Sequence, residues 1–404
     1  MRILMLSLDR AILERDSAVQ KRLLALADRV PPKPLAEGEE AGEITVFVPA
    51  GKDEKLELSP SLTVYAFGGL KIVQMWKIWR EGKRLLATTA PSLLPLQGEH
   101  HHLASQTRHS SSTEEERGRE KGERFDLITV QDAYFLGFLA VQLGKKFSVP
   151  VEVQIHGFEK RVGARARLAR FVLSGATKIR VVSERLRHFL NSEFRIQNSA
   201  IYRLPVYTQV EVPERLGKRK TVPYPFTFLT VGRLVPVKNI GLQIRAFAKL
   251  AKQIPHIRLR IVGEGPDLEK LKSEALSSKL EEKIVFEGGQ KEVGKYYEEA
   301  DAFLLTSDYE GWGRVVLEAS AYRLPIIMTD VGLAREVIVN EESGLIIPVG
   351  DEEELVRAMK DLLDKPELRE RLGEGAERAF RALPMPEEQI QKQVTEWQVL
   401  INRK

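Results

Sequence analysis

The sequence predicts an α/β protein made of two doubly wound, Rossmann-like domains. Short apolar runs alternate with helix-period segments along the whole chain, the pattern of parallel sheets covered by helices. The chain has 404 residues, 43% of them hydrophobic, which is enough for two cores. A gap rich in Pro and charge, Pro205 to Pro225, interrupts the alternation and marks a linker.

In the first half, strands are expected at Ile3–Leu8, Ile44–Val48, Thr63–Phe67, Leu127–Val130, Val151–Ile155, Lys178–Val182 and Ile201–Leu204. In the second half they are expected at Phe226–Val231, Arg258–Val262, Ile284–Phe286, Ala302–Leu305, Ile326–Met328 and Leu345–Ile347. A last helix is spaced through Ile390, Val394, Trp397 and Leu400, after a break at Pro384 and Pro386. The expected units are therefore residues 1–210, residues 211–383 and a terminal helix over 384–404. Residues 97–123 fit neither pattern. They are polar, with His100-His101-His102 and Ser110-Ser111-Ser112, and predict a solvated insertion. Adjacent histidines do not readily face one metal ion.

Composition excludes several classes. The chain has no cysteine, hence no disulfide and no thiolate metal site. No run of 18 apolar residues is present, which argues against a membrane-spanning helix. The apolar start, Arg2 to Leu8, ends at once in Asp9-Arg10, too short for a signal-peptide core. A cytoplasmic protein is expected. Residues 1–210 carry 32 Lys and Arg against 24 Asp and Glu, whereas residues 211–404 carry 30 against 33. Between Lys160 and Arg187 stand nine cations and one acid, Glu184. That field favours an anionic partner: a phospholipid surface, a lipid phosphate or a nucleic acid. Nucleic acid is disfavoured, because only Phe158 and Phe171 lie near the arginines. Lys71 to Leu86, basic and bearing Trp76 and Trp79, reads first as a sheet-covering helix with a cationic outer face. Its alternative is a helix lying on an anionic membrane, peripheral at the inner face.

The densest chemistry lies between Ser307 and Ala319. An apolar strand leads into a loop with Gly311 and Gly313, and a helical segment follows from Arg314. Glycine lets backbone approach a ligand closely, and the free N–H groups of a helix start favour phosphate. Glu310 in the loop and Glu318 in the helix add carboxylates that accept hydrogen bonds from hydroxyls. Phosphate and hydroxyls together describe a nucleotide sugar. A second strand-to-helix turn holds Arg233 and Lys238, a fork and a point charge suited to a diphosphate. A third, Val262-Gly263-Glu264-Gly265-Pro266, offers backbone at Gly263 and Gly265. His156 follows a strand, where open α/β sheets bind ligands. Gln131 and Asp132, and Asp9 and Arg10, end strands in the same way.

These motifs resemble the retaining glycosyltransferases of family 4. The match runs through Val231-Gly232-Arg233-Leu234, Lys238, Val262-Gly263-Glu264-Gly265-Pro266, Glu310-Gly311-Trp312-Gly313, Leu317-Glu318-Ala319 and Gly344-Leu345, in order and at the right spacing. In the first half it is carried by Asp126-Leu127-Ile128, Gln154-Ile155-His156-Gly157 and Val181-Val182-Ser183-Glu184. The resemblance implies the GT-B fold, with two domains facing across a cleft and the last helix crossing back to the first. It implies a UDP- or GDP-sugar donor in the second domain and a glycan, lipid-linked or other hydroxyl acceptor in the first. It implies no required cofactor or metal, and no Asp-x-Asp motif is present. Glu318 matches the residue for the ribose, and Glu310 the one for the donor sugar. Gly311, Trp312, Gly313 and Arg314 match donors of backbone amides, Arg233 and Lys238 the diphosphate pair, and His156 a residue near the reacting sugar. The usual glycine-rich loop after the first strand is replaced by Leu8-Asp9-Arg10-Ala11. Two alternatives stay open: a nucleotide-sugar epimerase on the same fold, and a nucleic-acid-binding protein using the basic first domain.

Overall fold

The computed structural model describes residues 1–35, 38–40, 42–87, 125–157, 163–197, 200–206, 210 and 225–402. The expected insertion at 97–123 and most of the linker at 205–225 lie outside the described residues.

The first sheet uses β1 (Arg2–Leu6), β4 (Glu43–Pro49), β5 (Glu54–Ser59), β6 (Leu62–Phe67), β7 (Leu127–Val130), β8 (Val151–Ile155), β9 (Lys178–Val181) and β10 (Ile201–Arg203). Its order is β10-β9-β8-β7-β1-β4-β6-β5, parallel except for β5, which pairs antiparallel at the edge. A small hairpin, β2 (Lys33–Leu35) and β3 (Gly38–Glu40), stands apart. The second sheet is β11 (Phe226–Val231), β12 (Ile257–Val262), β13 (Ile284–Gly288), β14 (Ala302–Leu305), β15 (Ile326–Thr329) and β16 (Leu345–Ile347). Its order is β13-β12-β11-β14-β15-β16, all parallel. Parallel strands buried on both faces read as continuous apolar runs, and β7, β8, β14 and β15 are buried throughout.

Helices α1 (Ala18–Ala27), α2 (Lys71–Ala87), α3 (Phe135–Phe147), α4 (Ala164–Gly175) and α5 (Glu184–Phe194) belong to the first domain. The second has α6 (Ile240–Ala251), α7 (Leu268–Ser277), α8 (Gly294–Glu299), α9 (Arg314–Ala321), α10 (Glu352–Asp364) and α11 (Pro366–Arg381), and α12 (Pro386–Asn402) ends the chain. Pro386 opens α12, a position where its missing N–H is no loss. The α12 helix then crosses back: Ile390, Val394, Trp397 and Leu400 pack with Leu23 of α1 and with Ile3, Val46 and Leu127 of the first sheet. On the other face of that sheet a larger apolar cluster runs from Leu136 and Val172 through Ile155 into the second domain at Trp312 and Val316.

Two expectations need correction. The first strand ends at Leu6 rather than Leu8, because Ser7 turns to Gln131 and Leu8 faces solvent. The edge strand β5 has no counterpart in the expected set. Its alternation of Glu54, Lys55 and Glu57 protects an edge from further pairing, and in sequence it looks like a polar loop.

Candidate functional site

Three strand-to-helix turns of the second domain meet at the carboxyl ends of β11, β12 and β14. Gly263 lies against the backbone of Gly232, where a Cβ would fall 1.8 Å from the Gly232 carbonyl oxygen. The Leu234 amide donates to Glu264 O at 2.8 Å. Both glycines of the third turn have positive φ, 144° at Gly263 and 158° at Gly265, and a Cβ at Gly265 would sit 2.3 Å from Leu234 O. Arg233, on the turn after β11, is exposed and makes no ion pair among the described residues.

The turn carrying Lys238 is tied to the loop after β14. The Asp308 amide donates to Val237 O at 2.8 Å, and Asn239 Nδ2 donates to Asp308 Oδ1 at 2.9 Å. Thr306 Oγ1 donates to the carbonyls of Lys238 and Asn239. This lattice places the Lys238 ammonium on Glu310 Oε1, an ion pair that also receives the Ser307 hydroxyl at 2.8 Å. Helix α9 then starts at Gly313, with φ 93° and no side-chain cap, so its first amides are offered to whatever lies before them. Trp312 is buried with its Nε1 unpartnered, and Arg314 beside it is exposed. Glu318 Oε2, one turn on, accepts from the Tyr297 hydroxyl at 2.9 Å. Burial, reinforced by Glu318, holds the Tyr297 hydroxyl well above its ordinary pKa, so it remains a donor.

The first domain meets this loop at His156. Gly311 has no room for a side chain: a Cβ would lie 1.7 Å from His156 O and 3.0 Å from Gly157 Cα. The loop from Glu310 to Gly313 is thus seated on the end of β8. His156 Nε2 is buried and unpartnered. Desolvation, with Arg180 and Arg22 nearby, pushes the His156 pKa down to about 3, so the imidazole is neutral near pH 7. A small cavity of about 50 Å³ opens here, bordered by His156, Gln131, Gln154, Arg180 and Arg22.

The structure places Asp9, Arg10, Gln131 and Asp132 less directly on a ligand space. Asp9 accepts from the Ala11 amide and caps its own short turn, and Arg10 Nε donates to Pro49 O. Gln131 Oε1 accepts from the Ser7 hydroxyl at 3.3 Å and reaches the cavity. Asp132 turns toward α3 and accepts from the Leu136 amide at 2.8 Å. Burial raises its pKa against those backbone bonds.

Further residues act around the site that sequence reasoning does not single out. Asp330 and Glu336, after β15, reach the first domain: Asp330 pairs with Arg185, and Glu336 pairs with Arg203 and accepts the Glu184 amide at 2.9 Å. Burial works to raise the Asp330 pKa, but Arg335 and Arg185 together hold it below the ordinary value. Beneath His156, the buried Glu152 accepts from Thr129, Gln154, Tyr202, Gln393 and Trp397. Arg180 donates to Gln154 and Gln393 and to two main-chain carbonyls. Of the nine cations expected between Lys160 and Arg187 to favour an anionic partner, Arg180 points inward and Arg185 is paired across the cleft, so these two are committed within the protein. The contacts made by Asp330, Glu336, Gln393 and Trp397 join residues over a hundred positions apart, and no local pattern signals them. Among the described residues no three His, Asp or Glu side chains gather as metal ligands.

Residues 214–379 match the family model described as glycosyl transferases group 1. The chain resembles family 4 glycosyltransferases. An uncharacterized glycosyltransferase of Haemophilus influenzae is 32% identical over 143 residues, 35% of this chain and 40% of that protein. A GDP-mannose-dependent phosphatidylinositol monomannoside mannosyltransferase of Mycolicibacterium smegmatis is 33% identical over 37% of this chain and 40% of its own. The chain thus spans about two fifths of the length of these relatives. The alpha-monoglucosyldiacylglycerol synthase of Acholeplasma laidlawii aligns more widely, at 27% identity over 63% of this chain and 70% of that protein. Among solved structures, the sucrose-phosphate synthase of Thermosynechococcus elongatus superposes with a TM-score of 0.74 at 18% identity, covering 100% of both chains. HepE of Anabaena, solved with UDP, gives 0.68 at 14%, covering 99% of this chain and 100% of its own. The fold is GT-B, as expected from the resemblance, with the last helix returning to the first domain.

Proposed function

We propose that this protein is a retaining glycosyltransferase that moves a glycosyl group from a UDP- or GDP-sugar to a hydroxyl of a glycan or lipid-linked acceptor, without a required metal. The observation that carries this reading is the loop from Glu310 to Gly313, pressed on His156 and holding the Lys238–Glu310 pair. The second domain holds the donor and the first the acceptor, with the boundary near residue 210. Glu318, oriented by Tyr297, takes the ribose hydroxyls. Arg233 and Lys238 neutralise the diphosphate as it leaves, and the amides at Gly313 and Arg314 add fixed dipoles aimed at the same charge. Glu310 gives its free acceptor capacity to hydroxyls of the donor sugar while Lys238 swings between carboxylate and phosphate. His156, neutral and unpartnered, supplies a hydrogen bond to the sugar at the cleft floor. Among the described residues we assign no carboxylate as a nucleophile, and the proposed attack is on the face of departure, with the leaving phosphate taking the acceptor proton. Catalysis is expected on the cytoplasmic side.

A thermal-shift panel of nucleoside diphosphates and nucleotide sugars tests the donor site, on wild type and Glu318→Ala. One base should raise the melting temperature, and the variant should lose the rise. Transfer to an added acceptor, with the product anomer read by NMR, tests the reaction. No shift with any nucleotide overturns the reading, and epimerised donor without a glycoside product replaces it.

A further inference from the structure

We infer that the cavity behind the end of β8, walled by α1 and by the returning helix α12, is a binding site for phosphate. Its volume is about 50 Å³, several times the roughly 10–15 Å³ that one water needs, and room for a group of a few heavy atoms. Two arginines line it, Arg22 from α1 and Arg180 from β9, and no carboxylate does. Arg180 gives four hydrogen bonds to neutral oxygens: the amides of Gln154 and Gln393 and the carbonyls of Leu204 and Pro205. A guanidinium has five N–H donors, so one is left without a partner among the described residues. The nearby Glu152 makes no ion pair with it, because its two oxygens already accept five hydrogen bonds, all from neutral groups. A cation drawn out of water with no anion in contact favours an anionic ligand.

The group that chooses among anions is on α12. Gln389 lines the cavity, is 8% exposed and has an unpartnered Oε1, while its Nε2 donates to Pro384 O at 3.0 Å. That bond takes the amide nitrogen and leaves an acceptor without a donor. Sulfate and carboxylate have no proton to give it at neutral pH. Hydrogen phosphate has one, on its P–O–H. The same acceptor separates two sources of phosphate. The free ion keeps a proton at neutral pH, whereas a phosphate monoester, with its second pKa near about 6, has mostly lost its own. The site is therefore set for the free ion. His156 borders the cavity, and its neutral ring adds no charge. Gln389 and Gln393 both belong to α12, so a bound phosphate ties the last helix to α1 and β9 and stabilises the folded chain. None of this rests on the transferase reading.

Thermal shift and isothermal titration of the full chain with sodium phosphate test the site, against sodium chloride at matched ionic strength. Phosphate should raise the melting temperature of wild type, and sulfate should raise it much less. Arg22→Gln keeps a good helix former in α1 and should weaken phosphate binding by about tenfold, the loss of one charged hydrogen bond. Gln389→Leu should bind phosphate and sulfate alike. The cations proposed for the donor diphosphate are a competing place for the ion. The double variant Arg233→Ala with Lys238→Ala removes them and should keep the phosphate shift. A hexose monophosphate that binds more tightly than inorganic phosphate, where the plain hexose does not bind, would overturn the free ion and assign the cavity to an ester. No stabilisation beyond chloride, sulfate bound by wild type as tightly as phosphate, or a shift lost in the double variant but kept in Arg22→Gln would each overturn the site.

Discussion

At the carboxyl ends of the second sheet the ligand surface is mostly backbone. Gly232 and Gly313 leave main chain open, Gly263 and Gly265 let two turns pack backbone against backbone, and side chains stand one layer back: Lys238 on Glu310, Tyr297 on Glu318. At the carboxyl ends of the first sheet the side chains are largely committed to neighbours. Asp9 caps a turn, Asp132 caps α3, Ser7 holds Gln131, and Glu152 and Arg180 are bound into a network with α12. The difference teaches how each half is specialised. On the proposed reading, a backbone surface suits the invariant diphosphate of a donor, whereas a surface of side chains can be rewritten for another acceptor without touching the donor site.

The largest effect that would break this comparison is Trp397→Ala. The ring is fully buried and its Nε1 donates to Glu152 Oε2 at 3.0 Å. Its loss should cost about 3–5 kcal/mol for the cavity alone, read by urea denaturation. Nucleotide binding by the surviving folded protein should persist, because the donor loop belongs to the other domain. If nucleotide binding vanished while the fold remained, the two halves would not be separable.

Gly311→Ala addresses one of the contacts between them. Its Cβ would meet a main-chain carbonyl at His156, not a flexible tip, so the domains must part. A displacement near 1 Å at the reacting groups costs about 100-fold in rate. Transfer should fall by that order while the nucleotide thermal shift is kept. Unchanged transfer would show that the loop and β8 need not touch in catalysis.

The third prediction sharpens the first-domain side. Folded His156 has its pKa near 3, against an unfolded value of about 6.5. The unfolded chain therefore takes up the proton first. The contribution of His156 to stability is complete above about pH 6.5 and is lost as pH falls from there toward 3, with a slope reaching about 1.4 kcal/mol per pH unit. His156→Gln should flatten that part of the stability profile. Identical slopes would mean the imidazole is solvated.

Much of this was legible in the sequence for a physical reason. Parallel strands buried on both faces leave unbroken apolar runs, so β7, β8, β11, β14 and β15 fall within a residue of expectation. Backbone sites leave glycines at fixed spacing, so the donor turns are readable too. The edge strand β5 hides because its outer face is charged. The Arg185–Asp330 and Glu152–Trp397 contacts hide because they join segments that only the tertiary fold brings together. The helix α2 hides its character in another way: the same 3.6-residue period buries Gln74, Ile78, Gly82 and Leu86 and leaves Ile72 and Trp76 outside. Periodicity shows an apolar face but not which face the sheet takes.

The smallest effect decides where Asp132 belongs. Its carboxylate satisfies the Leu136 amide, one of the donors left open at the start of α3. Asp132→Ala should then cost about 1 kcal/mol, as the loss of a helix cap does, and leave transfer intact. Asp132→Asn keeps an acceptor oxygen without the charge. Burial raises the Asp132 pKa above the unfolded value, so its contribution is complete below the unfolded pKa and falls as pH rises through the folded one. The Asn variant should therefore compare best with wild type at neutral pH and worst in acid. A variant that kept its melting temperature but lost transfer would mean that Asp132 meets the acceptor, and that the first domain, like the second, keeps a side chain for its ligand.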